Sequence, residues 1–125
     1  MPIDTLMRKL VLIVIGAAVL LSCTESRRAK STVNAFLKEN MASEEYSASL
    51  FGLDSTYRVS DSAIHQMQQT AGAFGIYKDG VKFAERDRSG KLLFLRGKII
   101  MGKDTLRQTF YLNPDLEQVV AVKEN

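Results

Sequence analysis

Tryptophan is absent from this chain, histidine and cysteine occur once each, and proline occurs twice. The lone cysteine, Cys23, excludes an intramolecular disulfide and any multi-cysteine metal cage, so an exported form must be stable on its core alone. The lone histidine, His65, leaves no His-rich metal site. No spacing of donors elsewhere suggests a metal or a cofactor. Neither sign of charge dominates: 17 Lys and Arg face 14 Asp and Glu, a formal charge of +3. That balance, with cations scattered among acids, argues against a nucleic-acid partner. Charged residues at 25% and apolar ones at 46% place the chain among ordinary globular domains rather than disordered ones. Internal repeats and low-complexity tracts are missing. So are the sequence contexts of a phosphate-binding loop, since Gly72-Ala73-Phe74-Gly75 does not follow a strand, and of a nucleophile elbow around any serine.

A long hydrophobic run is also missing. The longest, Leu10 to Leu21, holds twelve uncharged residues. As a helix it would span about 18 Å, short of the ~30 Å hydrocarbon core of a bilayer. Arg8 and Lys9 precede it and small Ser22 follows it, which is the physical pattern of a signal peptide. A plain signal peptide or an uncleaved anchor would share the charged end and the apolar run; an ordinary buried helix would share only the run. The junction Leu20-Leu21-Ser22-Cys23 separates these readings. It resembles the lipobox of bacterial lipoproteins, with an aliphatic residue at −3, a small one at −1 and then cysteine, although Leu21 is bulkier than the residue usual at −2.

The resemblance implies cleavage between Ser22 and Cys23, a diacylglycerol on the Cys23 sulfur and an acyl chain such as palmitate on the new amino group. One chain binds a membrane marginally and two or more bind it durably. The residue after the cysteine is Thr24 and not aspartate, which by Gram-negative sorting implies the outer membrane, facing the periplasm. The expected organisation is a signal peptide over 1–22, a lipidated cysteine with a short tether over 23–26, and a single domain over 27–125 of net charge near +2 once Arg8, Lys9 and Asp4 are removed.

Within that domain, Ala29, Val33, Phe36, Leu37 and Met41 form one stripe at helical spacing, with Ser26 placed to cap its start and Asn40 to end it. The cluster Arg27, Arg28 and Lys30 is a solvated helix end or a contact with anionic headgroups. Residues 46–59 alternate with period two, Phe51, Leu53, Ser55, Tyr57 and Val59 in phase, and Gly52 marks a bulge. Ser60-Asp61 reads as the cap of a second helix with Ile64, Met67, Ala71 and Phe74 on one face. Thereafter Asp79-Gly80 predicts a turn, Val81 to Arg86 a short strand, Asp87 to Gly90 a turn, and Lys91 to Met101 a long strand. Gly102-Lys103 predicts a two-residue type II′ hairpin, Asp104 to Leu112 its return, Asn113-Pro114-Asp115-Leu116 a type I turn, and Glu117 to Lys123 a last strand.

The fold class is therefore α+β: two helices packed on one face of a small antiparallel sheet, in the order helix, strand, helix, strands, with a three- to four-stranded C-terminal meander. That order is similar to small Gram-negative envelope lipoproteins with one α+β domain, a likeness of architecture that carries no functional residue.

Candidate chemistry is sparse. His65 with Asp61 four residues earlier is a general base only if a partner and a cleft accompany it; otherwise it is a surface histidine. Glu85 to Arg88 is a solvated turn or a binding loop. Phe94 and Tyr111, on a sheet with helices on one side, are placed to face outward, and with Arg86 and Arg88 they form the candidate interaction surface. No residue is assigned to catalysis, to a metal or to a cofactor. The expected role is a lipid-anchored, non-catalytic module that holds a protein partner. The alternative is a small-ligand carrier with a cone-like α+β pocket similar to nuclear transport factor 2, and an enzyme is the third reading.

Overall fold

The structure, a computed structural model, describes residues 23–125. The expected leader over 1–22, with Ser22 of the expected cleavage site, lies outside the described residues. No described helix is long and apolar enough to cross a membrane.

The first helix, α1, occupies residues 23–40. Its stripe residues Ala29, Val33, Phe36 and Leu37 are all buried, as a 3.6-residue period requires of a helix laid on a sheet, and so is Met41 just past its end. Residues 23–26 are helical, and Ser26 sits inside the helix instead of capping it. No glycine or proline interrupts that stretch, so the helix propagates through it at little cost. At the other end Asn40 is buried, and its Nδ2 donates to the Phe36 carbonyl at 2.9 Å.

Four antiparallel strands follow in the sheet order β1-β2-β3-β4: β1 (Ser47–Thr56), β2 (Leu92–Met101), β3 (Asp104–Leu112) and β4 (Val119–Glu124). Between β1 and β2 lie helix α2 (Asp61–Ala71) and a single 3-10 turn (Gly72–Phe74). The protein is thus an α+β fold with the expected order of elements. Ser60 caps α2 as its sequence indicates, with Oγ accepting from the Ala63 amide at 3.1 Å.

Gly102 has φ +58 while Lys103 is not in the left-handed region, and Met101 pairs with Asp104. A type I′ turn needs positive φ at both central residues, so the β2–β3 hairpin is type II′. Pro114 occupies the second position of the next turn, which the Leu116 amide closes by donating to the Asn113 carbonyl at 2.9 Å.

The bulge at Gly52, φ +72, breaks the β1–β2 register between Phe51 and Asp54. It reverses the phase of the strand. Leu50 and Leu53 turn toward the core, whereas Phe51, in phase with Leu53 by simple alternation, is 52% exposed.

Residues 81–86 do not form the expected strand. Two buried asparagines hold this segment in place of a ladder. Asn40 Oδ1 accepts from the Lys82 amide, and Asn113 donates to the Glu85 carbonyl and accepts from the Asp87 amide. One backbone bond, from the Ala84 amide to the Val119 carbonyl, ties the segment to β4.

The main core lies between α1 and the strand face formed by Leu95, Ile99, Phe110, Leu112 and Val122. Helix α2 runs beside β4. It gives Ala71 to that core and Ile64 to a smaller cluster with Leu92, Val120 and Ala121, against which Val59, Met67 and Tyr111 pack. Successive strand residues point to opposite faces, so Tyr111 and Ala121 belong to the reverse side from Phe110 and Val122. Both helices were expected on one face; α1 is there, while α2 wraps the β4 edge and reaches the reverse side. A bulge at Val120, between partners of Tyr111 and Leu112, feeds the side chain that makes this possible.

Candidate binding face of the sheet

Residues directly opposite on paired strands share a face, so the register defines the reverse side of the sheet row by row. One row reads Asp54, Phe94, Tyr111, Ala121; the next Phe51, Arg96, Thr109, Lys123; then Ser49, Lys98, Arg107; then Ser47, Ile100, Thr105. Val59 and α2 cover the end of the first row. Among the described residues, no helix lies over the other rows.

The aromatic pair of the first row is a cross-strand contact. The Phe94 and Tyr111 rings stand 6.0 Å apart at 48°, and both residues are half-buried. Burial pushes the Tyr111 hydroxyl above its ordinary pKa. Beyond this pair the face becomes cationic. Arg96, Arg107 and Lys123 are exposed and Lys98 is half-buried. Lys98 pairs directly with Arg107, a like-charge juxtaposition that costs stability. The only acid in these rows is Asp54, at a corner. Among the described residues the one ion pair is Arg86 with Asp61, so none of the four cations has a carboxylate at contact distance. Phe51 and Ile100, at 52% and 42% exposure, flank the cations.

Two surface hollows meet at Tyr111 and Lys123. One, about 490 Å³, lies on the open face against Phe94, Arg96 and Thr109. The other, about 580 Å³, runs between α2 and β4 over Met67, Phe74 and Val122, with Arg58 and Glu124 on its rim. Exposed residues rim both.

The residues singled out from the sequence divide. Phe94 and Tyr111 lie half-buried on the reverse side of the sheet, Tyr111 packed against the smaller cluster under α2. Arg88 is exposed, away from them, beside a hollow lined by Tyr57 and Asp61. Arg86 acts as an internal tie. Its Nη1 donates to the Val59 carbonyl at 2.6 Å and to Asp61 Oδ1 at 3.2 Å, and its Nη2 donates to the Gly90 carbonyl at 3.1 Å. Those bonds use the guanidinium fork to hold the start of α2 against the 87–90 turn, leaving 16% of the side chain exposed. Asp61 therefore serves Arg86, and His65 is exposed on α2. Among the described residues no group of three His, Cys, Asp or Glu converges for a metal.

Arg96, Lys98, Arg107, Lys123 and Phe51 escaped the sequence reading. Part of the signal was present: Arg96 and Lys98 are in phase with Phe94 along one strand. The rest depended on register, which brings Lys123 and Phe51 into the same rows.

No model of a known protein family matches this chain, and no curated protein or solved structure is significantly similar to it.

Proposed function

We propose that this protein is a non-catalytic binding module, tethered through acylated Cys23 to an envelope membrane and presenting the open face of its sheet to a protein partner. The observation that carries this reading is the face itself. Four cations that, among the described residues, have no carboxylate at contact distance and two exposed apolar side chains, Phe51 and Ile100, share one side of the sheet. Such a combination of apolar anchors and charge is what a partner surface needs.

The tether reading is supported by the lipobox-like Leu20-Leu21-Ser22-Cys23 and by the exposure of Cys23. Cys23 opens the described part of α1, whose first turn (Glu25, Ser26) lines a hollow with Leu53, Asp54, Lys91 and Leu93. An acylated Cys23 would thus lie near the end of β1 and the start of β2. The outer membrane, facing the periplasm, is the address that Thr24 favours.

A photo-crosslinking residue at position 51 or 100, compared with one at Glu39 on the far side of α1, tests the reading in living cells. Adducts to a protein from 51 and 100 but not from 39, reduced when Cys23→Ala blocks acyl labelling, are expected. Adducts from 39 alone, or a Cys23→Ala chain that still takes up palmitate, would defeat it.

A further inference from the structure

We propose that the segment bound on the open face is acidic and extended, its alternate carboxylates lying over Arg96, Lys98, Arg107 and Lys123; this rests on reading that face as the partner surface. Cations two residues apart on a strand are separated by about 6.8 Å, the spacing of alternate side chains in any extended peptide. Arg96 and Lys98 on β2 therefore match residues i and i+2 of a strand-like segment running along them. Arg107 stands opposite Lys98, and Lys123 lies across Thr109 from Arg96, so each carboxylate has a second cation within one or two strand spacings.

Charge complementarity selects this occupant over the others. A second copy would set four cations against four cations. A single-stranded nucleic acid needs free ring faces for its bases, yet Phe94 and Tyr111 are half-buried and packed on one another, leaving Phe51 as the one exposed ring in these rows. The Lys98–Arg107 pair is the most telling feature. Opposed like charges weaken the free protein, and a carboxylate bound between them would remove that penalty.

The test uses the full chain in nonionic detergent micelles, with an octapeptide of alternating Glu and Thr as probe. Saturable binding is expected, with amide shifts concentrated in Arg96–Ile100 and Thr105–Thr109. Arg96→Ser with Arg107→Ser should weaken it about tenfold or more, as should added salt. Lys98→Thr should weaken binding while raising the unfolding midpoint by about 2–4 °C, because a like-charge pair is lost. Should the double variant fail to fold, Lys123→Ser at the sheet margin supplies the same comparison. Equal binding of a Lys-Thr octapeptide, indifference to these substitutions, or stronger engagement of oligothymidine or of phosphatidylglycerol doped into the micelles would overturn the proposal. Crosslinks from positions 51 and 100 that persist while the Glu-Thr peptide fails to bind would sink this chemistry and spare the partner surface; loss of both would sink both.

Discussion

Gly97 lies directly against the ring of Phe110: a Cβ at position 97 would stand 2.7 Å from Phe110 Cε2 and 3.0 Å from Leu50 Cδ2. The glycine is needed here for space, since its φ is not in the left-handed region. Phe110 is fully buried and also meets Phe36 at 6.5 Å between ring centroids, so it has nowhere to retreat.

Gly97→Ala is therefore expected to destabilise the fold by about 1–3 kcal/mol through overpacking, seen as a lower denaturation midpoint at unchanged slope. A neutral Gly97→Ala would mean that β1 and Phe110 give way more easily than a packed core should.

Arg86 joins three segments, and its loss should cost more than its one ion pair. Hydrogen bonds from a charged donor contribute about 1.5–3 kcal/mol. The ion pair with Asp61 contributes at most about 1 kcal/mol, because the Asp61 side chain is 90% exposed. Arg86→Ala should thus lower stability by about 2 kcal/mol and speed amide exchange over 87–91, whereas Asp61→Asn should cost less than half as much. Comparable effects from the two substitutions would place the stabilisation in the ion pair instead.

Tyr77 is buried and donates to Gln108 Oε1 at 2.5 Å, while Gln108 Nε2 has no partner among the described residues. Burial raises the Tyr77 pKa above its ordinary value of 10.0. The folded state therefore holds the phenol proton more tightly than the unfolded chain does. The stability this provides is complete below pH 10 and declines as pH rises beyond it. Denaturation midpoints should fall steeply above pH 10 in the native chain and less steeply in Tyr77→Phe. That variant should also lose about 1–3 kcal/mol at neutral pH, because it strands Gln108 entirely. Parallel alkaline limbs for the two proteins would refute the assignment.

Leu116 is buried and yet left-handed, with φ +62. Removing its side chain should cost about 2–5 kcal/mol. The left-handed penalty of about 1–2 kcal/mol exceeds the extra unfolded-state freedom of glycine, about 0.4–1 kcal/mol. Leu116→Gly should accordingly be destabilising but less so than Leu116→Ala, by up to about 1 kcal/mol in chemical denaturation. The reverse order would show that the turn carries no backbone strain.

Local pattern is legible wherever a segment has one buried side and a clear stop signal. The α1 stripe, the Ser60 cap, the Gly102-Lys103 hairpin and the Gly52 bulge are of this kind. Val81 to Arg86 reads as a strand for the same local reason, yet beside one backbone bond to Val119 it is held by the side chains of Asn40 and Asn113, distant in sequence, whose roles no periodicity announces. Arg86 was legible as a charged turn residue and not as a tie, since its acceptors come from Val59, Asp61 and Gly90.

By itself the sequence determined the kinds of elements, their order and most of their turns, because amphipathic period, caps and glycine conformations act within a few residues. The tertiary structure alone decided that α2 straddles the β4 edge and that Phe51 and Lys123 join Arg96 in one row. Those placements depend on long-range register and on two bulges, at Gly52 and Val120, and a shift of one residue in either would turn a different set of side chains to the open face.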